Sequence, residues 1–119
     1  LPPVSGLGFA VSLALLCLTP TVPARAQSQP EMNQQAEADF ETADRELTRV
    51  YKKALDGLDE ESVKKLKAAQ RAWIAFRNAQ AEFDADQQAR GGSMHPMIYY
   101  NDMAQLTRDR IKQLKESAQ

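Results

Sequence analysis

The sequence predicts an all-α protein: a long antiparallel helical hairpin with a third helix packed on it. Three observations carry this expectation. Apolar residues recur at steps of three and four over long stretches, the period of a helix with one buried face. No stretch alternates with period two for long enough to make a strand. Beyond residue 30, glycine and proline occur only at 57 and at 91–96, so the chain has few places to turn.

The 119 residues and near-balanced charge, 15 basic against 16 acidic, fit one domain. That balance removes the electrostatic case for a nucleic-acid partner. One Cys and one His supply neither a disulfide framework nor a zinc-finger ligand set.

Residues 1–26 read as a secretory signal peptide. They contain no acid and one basic residue, Arg25, and Gly6–Leu18 is an almost unbroken apolar run. The run is shorter than the ~20 residues a helix needs to span a bilayer. Ala24 and Ala26 supply small residues at the −3 and −1 positions of a cleavage site. Leu16 before Cys17 is too large for lipoprotein processing. The expected product is residues 27–119, periplasmic or secreted, with no stable membrane span. It has no cysteine, and 14 basic against 16 acidic residues leave it at net −2.

The first helix is expected from about Glu31, after a polar leader containing Pro30. Met32, Ala36, Phe40, Ala43, Leu47, Val50, Ala54 and Leu58 form its apolar stripe. Gly57 suits a left-handed helix end and Asp59 the next N-cap. The second helix follows from about Glu60 to Ala89, with Val63, Leu66, Ala69, Trp73, Phe76, Gln80 and Phe83 as its stripe. The short connection forces the two helices antiparallel. Arg90–Pro96 is a loop in which Ser93 is a candidate N-cap and Pro96 fits a first turn. The third helix is expected from about Pro96 to Glu116, with Tyr99, Met103, Leu106, Arg110 and Leu114 on one side and Tyr100, Thr107 and Ile111 on the next.

Catalysis lacks parts. No second His and no thiol of the folded region can activate a nucleophile. Pairs such as Asp84 and Asp86 sit on expected solvent faces, whereas glycosidase chemistry needs carboxylates converging across a cleft. No catalytic residue, metal ligand or cofactor is assigned. Met94, His95, Met97 and Met103 have the donor types of a copper(I) set, but a helix start with methionines in the core explains them better. Gln70-Arg71-Ala72-Trp73, then Phe76-Arg77, is the most distinctive segment. It reads mainly as core, with Arg77 reaching an acid such as Asp44 or Glu46. Its rival role is a partner-binding patch anchored by Trp73 and Arg77.

These segments resemble the LprI-type lysozyme inhibitor family, from about Glu31 to Leu114. The residues that carry the likeness are Met32-Asn33-Gln34 with Ala36, Ala43-Asp44-Arg45-Glu46-Leu47 with Tyr51, and Ala69-Gln70-Arg71-Ala72-Trp73 with Phe76-Arg77. Gly91-Gly92-Ser93-Met94, then Leu106-Thr107-Arg108-Asp109-Arg110 and Leu114, complete it. The resemblance implies cysteines where Gln35, Ala81 and Asp102 stand, an Asn at Thr48 and an Asp at Asn78. It also implies a small bacterial envelope domain whose partner is lysozyme or another envelope protein. Gln70, Trp73, Phe76 and Arg77 are then structural. An inhibitory loop would present Arg90, Ser93 and His95 to the acidic cleft. The alternative is a non-inhibitory interaction or structural module of the envelope with the same fold. Unequal helix lengths also leave room for a homodimer.

Overall fold

The computed structural model describes residues 25–117 continuously, together with positions 2, 3, 5, 6, 8, 10, 12 and 14–20. The leader read in residues 1–26 therefore lies partly outside the described residues, Ala24 of its cleavage site included. Among the described residues there are three helices and no strand: α1 Gln29–Asp56, α2 Glu60–Ala89 and α3 His95–Ser117. At 1.5 Å per residue they run about 42, 45 and 35 Å.

α1 begins two residues before its expected start. Ser28 caps it by accepting from the Glu31 N–H at 3.3 Å. Pro30 sits inside the first turn, where its missing N–H costs nothing. Asp59 caps α2 as expected, its Oδ1 accepting from the Ser62 N–H at 2.7 Å. That bond holds the Asp59 carboxyl below its ordinary value. Two turn assignments change. Gly57 has φ −94, so this connection needs no left-handed residue; the Leu58 N–H closes it on the Leu55 carbonyl at 3.2 Å. Ser93 does not cap α3, because the helix opens one residue later, with Ile98 N–H bonded to the Met94 carbonyl at 3.1 Å. Gly91 at φ 70 takes the left-handed conformation that reverses the chain.

Cross-helix pairs set the directions. Glu37 meets Tyr100 and Glu46 meets Lys115, so α1 and α3 run parallel. Asp86 meets His95 and Gln70 meets Arg110, so α2 is antiparallel to α3. The backbones close most tightly where α3 meets α1 and where α3 meets α2. Ala36, Ala81, Ala85 and Ala104 are buried and leave room for that approach. Between α1 and α2 the Arg77 guanidinium lies over the Phe40 and Trp73 rings and keeps those helices apart. The third helix is thus the element both members of the hairpin pack against. Leu47, Val50, Ile111 and Leu114 form the main apolar cluster, with Tyr51, Leu66 and Trp73 against it.

The α1 stripe packs much as expected: Ala36, Ala43, Leu47 and Val50 are buried, while Leu58 at its end is exposed. The α2 stripe does not. Its buried line is Gln70, Arg77, Ala81 and Ala85, the first three each one residue beyond Ala69, Phe76 and Gln80 of the expected line. One residue is 100° of helix, and the shift turns Phe76 and Phe83 outward, 53% and 59% exposed. An Arg with three hydrogen bonds and two aromatic faces as partners, together with alanines that admit a close neighbour, outcompetes two phenylalanines for this seam. No described helix is long and apolar enough to cross a membrane.

Candidate functional site

Two regions collect the side chains singled out in the sequence. The first is interior. Arg77, 6% exposed, donates from Nη1 to Asp44 Oδ1 at 3.2 Å and to Thr107 Oγ1 at 3.4 Å. Its Nε donates to Asn78 Oδ1 at 3.1 Å. Its carbon centre lies 5.1 Å from both the Phe40 and Trp73 ring centroids, within cation–π range. Gln70 accepts from Arg110 Nε at 3.1 Å, and Arg110 covers the Trp73 ring at 5.9 Å. One network therefore joins Asp44 of α1, Gln70, Trp73 and Arg77 of α2, and Thr107 and Arg110 of α3. Of the two acids expected for Arg77, Asp44 is the partner; Glu46 instead pairs with Arg49 at 2.7 Å and Lys115 at 3.6 Å. Phe76 of the distinctive segment, 53% exposed, points away from this network.

The second region is the tip formed by the end of α2, the turn and the start of α3. Arg90, Gly91, Gly92, Ser93 and Met94 are exposed. Arg90 Nε lies 3.8 Å from Asp86 Oδ2, a loose surface pair. Asn33 Nδ2 donates to the Ser93 carbonyl at 3.2 Å, tying the turn to α1. His95 does not face outward with Arg90 and Ser93. Its Nε2 is 3.1 Å from Asp86 Oδ1 and 3.4 Å from Glu82 Oε1, folded back on α2. The sulfurs do not gather around it either: Met94 is exposed, Met97 Sδ accepts from Gln29 at 3.8 Å, and Met103 is buried in the core.

Arg90 continues a line on α2. Phe76, Phe83 and Arg90 follow one another at intervals of seven, two helical turns less about 20°, so they share a face. All three are exposed. Sequence reasoning missed this face because it had placed both phenylalanines in the core. At the opposite end, a groove of about 520 Å³ between the ends of α1 and α3 has Val50, Leu58 and Leu114 as floor and Arg49, Lys53 and Lys115 at its rim.

A carboxyl pair lies in the α2–α3 seam. Asp102 hydrogen-bonds Asp84, and burial together with that neighbouring carboxylate pushes Asp102 up to about 6. Asp84 goes the other way, lowered by the bonds from Asp102 and Gln80. Asp102 Oδ2 is buried and has no partner among the described residues. The pair thus favours holding one proton. A raised folded value means that the Asp102 contribution is complete below the unfolded 3.8 and is lost as pH rises through about 6. Asp102→Asn keeps a donor toward Asp84 without the titration. This variant is expected to remove the fall in stability between pH 4 and 7 and to gain about 1 kcal/mol at pH 7, a discounted figure because solvent screens the pair. Urea melts of both chains across that range check it, and parallel pH curves would refute the shared proton.

Comparison with known proteins fits this layout. The model of the family described as "Lysozyme inhibitor LprI" matches residues 22–114. An uncharacterized protein of Rhizobium meliloti (strain 1021) is 39% identical, covering 90% of this chain and 91% of its own length. No solved structure matches. Three of the segments quoted for the resemblance, those of Asp44, Gln70–Arg77 and Thr107, meet at Arg77, and the match over residues 22–114 spans most of the chain: it belongs to the LprI lysozyme inhibitor family.

Proposed function

We propose that residues 27–119 act outside the cytoplasm, after cleavage following Ala26, as a protein that binds lysozyme and blocks its substrate cleft. The family and the apolar leader support the setting. The observation that carries the surface is the exposed line Phe76–Phe83–Arg90. Folding leaves two large rings uncovered on one face and ends that face in a cation beside an open turn. Aromatic and Arg side chains are the usual anchors of protein interfaces. Lysozyme works with two carboxyl groups across a cleft, and Arg90 offers them a guanidinium, with the Ser93 hydroxyl beside it. His95 belongs to this loop as its tether to α2. The net charge of −2 adds weak attraction toward a basic enzyme.

Titration of residues 27–119 into lysozyme activity assays of several lysozyme classes, with calorimetry alongside, tests the reading. Stoichiometric inhibition is expected at submicromolar protein. Phe83→Ser is expected to weaken it at least tenfold while leaving the melting curve in place, since the ring is exposed. The combined Arg90→Ala, Ser93→Ala and His95→Ala variant is expected to abolish it. Unchanged inhibition in both variants removes this surface from the interface. Absence of both heat and inhibition rejects the lysozyme reading. A second reading then applies, an envelope module that pairs with a second copy through α2. In the first half of that helix Lys64 and Lys65 pair with Glu60 and Glu61 and leave Lys67 and Arg71 in excess, while Glu82, Asp84 and Asp86 lie in the second half, so antiparallel pairing sets a modest opposite charge against each end. Light scattering behind a sizing column reads that dimer directly.

A further inference from the structure

We propose that Glu82, Asp86 and His95 form a binding site for a divalent transition-metal ion, with zinc the best-fitting member of the class. The ligands come from two helices. Glu82 and Asp86 are one turn apart on α2 and project from the same face. His95 is the first residue of α3 and returns to them across the turn reversed at Gly91. Carboxylates and imidazoles brought together from facing helices build metal sites in helical bundles; here the pair of acids comes from α2 and the imidazole from α3.

Two of the three ligand-atom separations match those of a bound ion. His95 Nε2 lies 3.1 Å from Asp86 Oδ1 and 3.4 Å from Glu82 Oε1, and all three ligand atoms fall within 4.8 Å of one another. Tetrahedral zinc with bonds of about 2.0–2.1 Å sets its ligand atoms roughly 3.3 Å apart. An ion centred among these atoms keeps its outer side for water.

Charge and donor type point the same way. Two carboxylates face one imidazole, and the nearest other cation, Arg90, stands 3.8 Å from the far oxygen of Asp86. Asp86 and His95 are both half-buried, so bulk water does not fully screen that excess. One imidazole with two carboxylates suits zinc better than copper(I), whose thioether donors are dispersed here. The tip of the bundle is held by hydrogen bonds and turns rather than by a crosslink. An ion shared by α2 and α3 staples it, and binding to the folded state alone raises the melting temperature.

The test uses the metal-stripped chain without a histidine tag. Zinc chloride is titrated by calorimetry and by competition with a chromogenic chelator, and thermal melts are recorded with and without zinc. The expected result is one equivalent bound with a micromolar Kd and a melting temperature raised by several degrees. Glu82→Gln, an exposed position, is expected to weaken binding at least tenfold with an unchanged metal-free melt. His95→Gln is expected to weaken binding to the same extent, with zinc stabilisation read against its own metal-free melt because His95 also tethers the turn. Zinc bound equally well by both variants overturns the site, as does the lack of saturable binding by the parent chain. Magnesium giving the same heat and stabilisation also overturns it, because a hard ion has no use for the imidazole. None of these readouts depends on lysozyme.

Discussion

Arg77→Ala is expected to destabilise the bundle by about 3 kcal/mol, the low end for removing one member of a buried ion pair. The low end applies because the Asp44 carboxylate is half-exposed and water can solvate it once the guanidinium is gone. What is lost is the common partner of all three helices. Asp44 belongs to α1 and Thr107 to α3, and the Phe40 and Trp73 rings lose the cation between them. The large side chain also leaves a void where α1 and α2 are held apart. Urea unfolding should show a lower midpoint with the same slope. Arg77→Met separates charge from volume. It fills the space without a buried charge and is expected to recover more than half of the loss. A cost below about 1 kcal/mol for Arg77→Ala would show that the network is incidental.

Trp73→Ala is expected to cost about 3 kcal/mol, at the lower edge for a large aromatic side chain, because the ring is half-buried rather than enclosed. The ring packs on the cluster of Leu47, Val50, Ile111 and Leu114 and receives Arg77 on one side and Arg110 at 5.9 Å. A cost below about 1 kcal/mol would mark Trp73 as an interface residue instead. The two effects are not additive. A double-mutant cycle between Trp73 and Arg77 is expected to return a coupling of about 0.5–1 kcal/mol, the size of a partly desolvated cation–π contact.

Helix number, order and bounds were legible because they rest on local chemistry. Asp59 followed by Glu60 and Glu61 makes a helix start anywhere, and the absence of Gly or Pro between Glu60 and Ala89 lets that helix run. Pro30 misled by two residues, since a proline in a first turn reads like a proline in a leader. The candidate surface was illegible for a different reason. Periodicity shows that α2 is amphipathic but cannot choose between faces one residue apart when Leu66 and Trp73 lie on the border of both. Gln70 and Arg77 read as core in the sequence, with Arg77 reaching an acid such as Asp44 or Glu46, but nothing local shows that this polar line displaces Phe76 and Phe83 from the seam. It does so only when Asp44, Thr107 and Arg110 arrive from other helices to satisfy it.

The division follows the range of the forces. Capping, turn chemistry, helical periodicity and the two breaks at 57 and 91–96 act within a few residues, so the order of amino acids alone decides three helices and an antiparallel hairpin. Whether a phenylalanine or an arginine enters the seam depends on partners 30 residues or more along the chain. Only the packed bundle decides that Asp44 and not Glu46 meets Arg77, that Phe76 and Phe83 face outward in line with Arg90, and that His95 folds back to Glu82 and Asp86. A buried polar group costs or contributes according to whether distant groups complete its hydrogen bonds, and that completion is a property of the tertiary structure.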